Sequence, residues 1–461
     1  MPVALAIVGT HSGVGKTSVS LGLMGALRRR GLTVQPFKVG PDFIDPGHHS
    51  LVTGRVSHNL DGWMLSKKTN LDLFQKYARD CDVAIVEGVM GVYDGYGATS
   101  EAGSTAQIVK WLGIPAILVI DAGKMGRSAA ALVSGYANFD PDLPILGVVC
   151  NRIGSSSHLE RLRESIESAT SLPVFGGIPK NCFPEIPSRH LGLWMAKEDN
   201  LGTEYLEKLA SSIEQYLEID RLLEQCPTLD LETRSNARQD ERLFATTARQ
   251  PKIAIARDEA FCFYYEENLQ ILRELGATLV EVSPLYDRFP DDIDGFYFGG
   301  GYPELHAEGL SQNREFIKNL IKFSKSKFPV YGECGGLIYL SRGILDRAGD
   351  RHPFVGIFPF WTKLGERAKL GYTEIEICEN APFVPYSLRA RGHRFHYSEI
   401  VKSDIAEKPS LETCYTAKSW KSGIFKEGYR VGNTLVSYVH LHFASNPEFA
   451  RFFVESCQQQ K

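Results

Sequence analysis

Residues Ala4-Leu5-Ala6-Ile7-Val8-Gly9-Thr10-His11-Ser12-Gly13-Val14-Gly15-Lys16-Thr17 decide the fold. The short apolar run Ala4–Val8 suits a strand buried on both faces. A helix is expected over Thr17–Arg30, with Val19, Leu23, Ala26 and Leu27 on one face. Arg28, Arg29 and Arg30 suit the negative end of its dipole, and Gly31 suits the left-handed residue that ends it. A strand, a Gly-rich turn and a helix in that order form a phosphate cradle. Backbone N–H groups freed by Gly13 and Gly15 surround the anion, Lys16 neutralises it, and the Thr17 hydroxyl suits a magnesium ligand. The strict GxxxxGK[ST] pattern has Gly where Thr10 stands, so this is a deviant form of the loop.

Working outward, strand-like runs recur at Val34–Val39, Val83–Val89, Ala116–Asp121 and Leu146–Asn151, with helical stretches between several of them. That alternation predicts an α/β domain whose parallel sheet is covered on both faces. Four acids fall at C-terminal strand ends, where open α/β sheets bind ligands: Asp42, Asp45, Glu87 and Asp94. Glu87, directly after Val83-Ala84-Ile85-Val86, is the best partner for a magnesium ion at Thr17, and Asp42 is a further candidate ligand.

The pattern decays after Tyr216. Residues 225–250 read as a linker between a first domain, 1–224, and a second, 251–461. The second domain restarts βα alternation with strands at Lys252–Ala256, Thr278–Val282, Phe296–Phe298 and Val330–Tyr331, and is again expected to hold a mostly parallel sheet with helices on both faces. Val330-Tyr331-Gly332-Glu333-Cys334-Gly335-Gly336-Leu337 is a strand, a sharp turn and a helix start. That is a nucleophile elbow with Cys334 at its tip, where a helix N-terminus is expected to acidify the thiol. Gly299-Gly300-Gly301 after a strand offers oxyanion amides, from Gly300 and Gly301. Ser437-Tyr438-Val439-His440-Leu441-His442-Phe443 offers two candidate bases on one strand face.

The remaining composition narrows the classes. Lys and Arg total 51 against 55 Asp and Glu, which argues against nucleic acid as the main partner. No apolar run reaches the ~18 residues of a membrane span. The start of the chain lacks a charged n-region and cleavage site, and the nine Cys have no CxxC spacing, so reduced thiols in a cytoplasmic protein are expected.

Taken in order, the motifs resemble the cobyrinate a,c-diamide synthase family, which fuses a dethiobiotin-synthetase-like ATP-binding domain to a class I, triad-type glutamine amidotransferase domain. The marks are GTHSGVGKT (9–17), PFKVGPDFIDP (36–46), EGVMGVYDG (87–95), RHLGL (189–193), AFCFYYEENL (260–269), GGGYPELH (299–306), ECGGLIYL (333–340), RGHRFHYS (391–398) and SYVHLHF (437–443). The resemblance implies ATP-dependent amidation of two corrin carboxylates with ammonia from glutamine, with Mg2+ as cofactor. It makes Cys334 the nucleophile and His440 the base. Standard triad enzymes carry Glu two residues after that His, and His442 stands there instead. It further implies that Asp45 and Asp94 activate substrate, that Asn151 joins Gly13, Gly15, Lys16 and Thr17 at the nucleotide, and that Arg391, His393 and His396 face the tetrapyrrole. A homodimer is left open. A nickel-sirohydrochlorin a,c-diamide synthase would share nearly all these motifs. A deviant-Walker switch ATPase would share the first loop but has no use for Cys334 and His440.

Overall fold

The computed structural model describes residues 2–183, 201–229, 249–401 and 411–459. The RHLGL stretch and most of the expected linker lie outside them. The chain divides into two compact units, Met1–Arg238 and Gln239–Lys461.

The first unit is a seven-stranded sheet of β1 (Val3–Gly9), β2 (Val34–Val39), β3 (His58–Leu60), β4 (Val83–Glu87), β5 (Ala116–Asp121), β6 (Ile145–Ile153) and β7 (Val174–Pro179). Its order is β3-β2-β4-β1-β5-β6-β7, and every pair is parallel. Successive residues of β1 supply opposite faces, so Ala4, Ala6 and Val8 enter one core and Leu5 and Ile7 the other. This is why the run is continuously apolar. Each fully buried Leu, Ile or Val side chain contributes about 1.5–3 kcal/mol relative to exposure. The first helix runs Lys16–Arg29, one residue earlier than expected at each end, and Gly31 has φ 82°. With β1 between β4 and β5, the loops after β1, β2 and β4 converge on one edge of the sheet.

The second unit is a mixed sheet of twelve strands. Five parallel strands run in the order β9 (Thr278–Val282), β8 (Lys252–Ala256), β10 (Gly295–Phe298), β11 (Val330–Glu333) and β18 (Thr434–Ser437). Helices lie on both faces: Leu269 and Phe453 pack with Ile253 and Ile255, and Phe316 and Leu320 pack with Ala254 and Ala256. The expectation of a mostly parallel sheet holds for these five strands. The rest is largely antiparallel: β12 (Gly343–Leu345), β13 (Arg351–Pro353), β14 (Trp361–Ile377), β15 (Arg389–Ile400), β16 (Glu412–Ser419), β17 (Gly423–Val431) and β19 (Val439–Leu441). β14 is 17 residues long and its inner end alternates buried and half-buried positions, the mark of a sheet with one covered face. β19 pairs antiparallel with β15, which brings His393 opposite His440.

Candidate active site

In the first unit the loop after β1 is shaped from its backbone outward. Gly13 and Gly15 have φ of 81° and 105°, a left-handed region that favours glycine. A Cβ on Gly15 would lie 2.3 Å from Asn151 Nδ2, so no side chain fits there. Asn151 donates from Nδ2 to the Val14 carbonyl at 2.8 Å, and Arg152 donates to that of Gly13 at 2.9 Å. Asn151 therefore acts on the shape of the cradle. Lys16 Nζ donates to the carbonyls of His11 at 3.1 Å and Met90 at 2.5 Å, spanning the loop mouth. Burial, with the nearby charge of Lys38, lowers the Lys16 pKa to about 8. An anion in the loop opposes that shift. A cleft of about 480 Å³ flanks the loop, lined among others by Thr10, His11, Asp121, Tyr136, Arg152 and Lys180.

Behind the loop lies a buried charged cluster. The Thr17 hydroxyl donates to Glu87 Oε1 at 2.7 Å and lies 3.5 Å from Asp45 Oδ2. Lys38 Nζ, on β2, bridges Asp45 Oδ2 at 2.5 Å and Glu87 Oε1 at 2.7 Å. His49 Nε2 meets Glu87 Oε2 at 2.7 Å, and its Nδ1 meets Ser57 Oγ at 3.1 Å. Burial opposes charge on Lys38, but Asp45 and Glu87 outweigh it and hold the ammonium above its ordinary range. Burial likewise opposes charge on Glu87, and Lys38 and His49 hold it ionised. Burial and the neighbouring Asp42 push Asp45 upward. Asp42 Oδ1 accepts from the backbone N–H groups of Ile44 at 2.8 Å and Asp45 at 3.1 Å. That oxygen holds the backbone entering the helix Ile44–Thr53. Asp94 Oδ2 accepts from Gly91 N at 2.8 Å and fixes the turn after β4.

Magnesium takes hard oxygens, commonly one or two carboxylates with hydroxyl, phosphate and water oxygens. Thr17 and Glu87 converge, and Asp45 Oδ1 is buried without a hydrogen-bond partner among the described residues. These oxygens fit that ion. No group of three or more His, Cys, Asp or Glu poised for a metal occurs among the described residues.

In the second unit β11 ends at Glu333 and the chain turns sharply at Cys334, with φ 48° and ψ −92°. This strained elbow projects the thiol from a backbone anchored by Cys334 N–H donating to Ser437 O at 2.7 Å. The expected acidified thiol is corrected: burial, with Glu304 and Glu333 nearby, raises Cys334 above its ordinary value, and the Gly335 N–H only partly opposes this. The oxyanion expectation is corrected in part. Gly300 N–H donates to Phe263 O at 3.1 Å and is engaged. Gly301 N lies 3.0 Å from where a Cβ on Gly335 would sit, so the Gly301 and Gly335 amides flank the elbow.

His440 is 1% exposed, its Cε1 lies 2.3 Å from where a Cβ on Gly300 would sit, and its ring stacks on His393 at 5.0 Å. Burial, with His393 and His396, keeps it well below the ordinary imidazole range and so neutral. His442 packs on the Tyr265 ring at 4.5 Å and is lowered to about 4 by burial. Both are neutral acceptors near pH 7, but only His440 lies at the glycine loop that flanks Cys334.

Two family models match. One is the CobQ/CobB/MinD/ParA nucleotide binding domain over residues 5–193, and the other is the CobB/CobQ-like glutamine amidotransferase domain over residues 252–448. The chain is 46% identical over 459 residues to a cobyrinate a,c-diamide synthase of Syntrophotalea carbinolica, covering 98% of each chain. It is 41% identical to one of Leptospira interrogans and 38% to one of Salmonella typhimurium, covering 98% of each of those proteins and 98% and 99% of this chain. The chain belongs to the cobyrinate a,c-diamide synthase family. The nucleotide-binding model spans the phosphate loop and the Glu87 cluster, and the amidotransferase model spans Cys334 and His440.

Within this family member the RGHRFHYS stretch departs from expectation. His393 is 3% exposed and bonded through Nδ1 to the Tyr265 hydroxyl at 2.8 Å; His396 stacks on Tyr438 at 3.9 Å. Burial lowers them to about 3 and 4, so neither is a cation offered to a carboxylate. Only Arg391 is substantially exposed, and it pairs with Glu374 at 2.9 Å. Sequence reasoning also passed over Lys38 and His49. A lysine inside the apolar strand 34–39 requires a buried counter-charge, and His49 stands four residues after Asp45 on the same helix face.

Among the described residues no helix is long and apolar enough to cross a membrane.

Proposed function

We propose that this chain amidates the a and c carboxylates of cobyrinate in cobalamin biosynthesis, using ATP for activation and glutamine for nitrogen. The observation that carries this reading is a single chain holding both a phosphate loop backed by acids and a cysteine elbow with a neutral histidine, matched along its length by relatives of that name. A carboxylate mixed with ammonia forms a salt, so its carbon must first be activated. Transfer of the ATP γ-phosphoryl group makes an acyl phosphate, and ammonia displaces phosphate from it to leave the amide. Gly13, Gly15 and Lys16 hold the phosphates, while Lys38 offsets charge that builds on the transferred group. Asp45 and Asp94, after β2 and β4, orient the carboxylate. Mg2+, held by Thr17, Glu87 and Asp45, would supply electrostatic neutralisation of the phosphates.

Cys334 attacks the glutamine side-chain amide, with its proton passing to His440; the tetrahedral oxyanion rests on the Gly301 and Gly335 amides. Ammonia leaves, and water releases glutamate from the thioester. The raised thiol pKa means the proton is lost as the attack occurs rather than beforehand. Ammonia must reach the acyl phosphate sheltered from bulk water, where it would be protonated. A switch ATPase leaves the whole second unit unexplained, and no observation favours nickel-sirohydrochlorin. The test offers cobyrinate and nickel-sirohydrochlorin separately to the full chain with ATP, magnesium and glutamine, and reads product masses. Diamide from cobyrinate is expected; product from nickel-sirohydrochlorin alone overturns the assignment.

A further inference from the structure

The position two residues after His440, where triad enzymes carry the orienting Glu, holds His442, whose ring faces Tyr265. Another acid stands where it is needed. Glu333 immediately precedes the nucleophile, is 2% exposed, and places Oε2 3.9 Å from His440 Nδ1. Its carboxylate is fixed from three directions. Tyr331 O–H donates to Oε1 at 2.7 Å, Tyr297 O–H donates to Oε2 at 2.9 Å, and Leu441 N–H donates to Oε1 at 3.0 Å. Tyr331 shares its strand face with Glu333, and Tyr297 pairs with Tyr331 across β10 and β11, so the sheet itself builds the holder. The Leu441 N–H follows His440 directly, so the same carboxylate braces the backbone that carries the base.

We propose that Glu333 is the positioning residue for His440, taking over from inside the elbow strand the task that triad enzymes give to a Glu two residues beyond the base. Oriented by Oε2, the imidazole carries its proton on Nδ1 and turns Nε2 to the thiol. The 3.9 Å separation is longer than a hydrogen bond, and such contacts tighten when substrate binds. Burial raises the Glu333 carboxyl to about 7, while its donors oppose this; an imidazolium forming beside it would favour ionisation further. The other titratable groups facing the pair are His393 and His396 on β15, Tyr264, Tyr297 and Tyr331, Tyr415 on β16, and Cys334. The histidines nearest His440 are neutral, and Glu333 is a carboxyl group in reach of its Nδ1. This inference rests on the glutaminase reading above.

The test compares Glu333→Gln and Glu333→Asp with the unaltered chain, reading glutamine-dependent against ammonia-dependent amidation. Glu333→Gln keeps size and burial but loses the charge. Its glutamine-to-ammonia rate ratio is expected to fall about 100-fold through kcat, with KM for glutamine within about threefold. Glu333→Asp should recover part of the loss. A Glu333→Gln ratio within about threefold of the unaltered chain overturns the proposal, as does a loss confined to KM. Should the variants fail to fold, 15N NMR of histidine-labelled unaltered protein decides: a proton on His440 Nδ1 supports the proposal, and a proton on Nε2 alone overturns it. An unaltered chain that makes no glutamate from glutamine contradicts the glutaminase reading itself, a result separate from either outcome for Glu333.

Discussion

The two sites hold charge in opposite ways. Behind the phosphate loop, Lys38, Asp45, Glu87 and His49 are buried together and paired at 2.5–2.7 Å, so burial does not discharge Lys38 or Glu87. Around the elbow, Cys334, His393, His396, His440 and His442 are also buried, and burial, the largest influence on each, drives each toward its neutral form. The difference matches the work proposed for each. Phosphoryl transfer requires fixed charges around an anion throughout, whereas amide attack by a thiol requires a proton to move once, between groups that begin neutral. The same burial thus serves two chemistries, depending on whether the sequence supplies counter-charges.

Among effects shared by both nitrogen sources, the largest is expected at the phosphate site. Lys16→Ala and Glu87→Ala should each lower amidation about 10²–10³-fold with glutamine or ammonia alike, since both act before nitrogen enters. Glu87→Ala also strips His49 and one side of Lys38 of their buried partner while Asp45 still holds Lys38, and should lower stability in denaturant unfolding. Normal amidation by either variant removes that residue from the site. Next, glutamate release separates the two histidines: His440→Ala should lose about 10²-fold or more and His442→Ala less than about tenfold. The reverse order would make His442 the base.

The smallest effect is on how local protection depends on pH. The four lowered histidines contribute stability that is full above about 6.5 and lost as pH falls toward their folded values, about 3 for His393 and about 4 for His396 and His442. Glu304 and Glu333, raised to about 7, act the other way between about 4.5 and 7 and cancel part of the slope. Glu87, held down, contributes stability lost only below about pH 4.5. Hydrogen exchange, corrected for intrinsic rates, should therefore loosen β15 and β19 between pH 6.5 and 5 while β2 and β4 stay protected. Parallel loosening of both erases the contrast.

Much of this was legible because it is local. The loop 9–17 and the elbow 330–337 each carry strand, turn and helix within about a dozen residues, and their glycines and reactive side chains are contiguous. What stayed hidden depends on long-range pairing. His393 reads as a surface cation until β15 pairs with β19 and seats it against His440. The engagement of Gly300 N–H depends on Phe263, far back along the chain. A helix start alone reads as an acidified thiol and misses the carboxyl groups of Glu304 and Glu333 that the fold places around it. Lys38 and Glu333 stood inside quoted motifs, and the signal that would have found them was a charged residue in a buried strand.

The central claim is a division of labour: one site makes ammonia and the other spends it. Cys334→Ser, assayed on cobyrinate with ATP and magnesium, tests this most directly. The account predicts that amidation from glutamine falls at least about 10³-fold while amidation from added ammonia remains within about twofold of the unaltered chain. Equal loss from both nitrogen sources would contradict it.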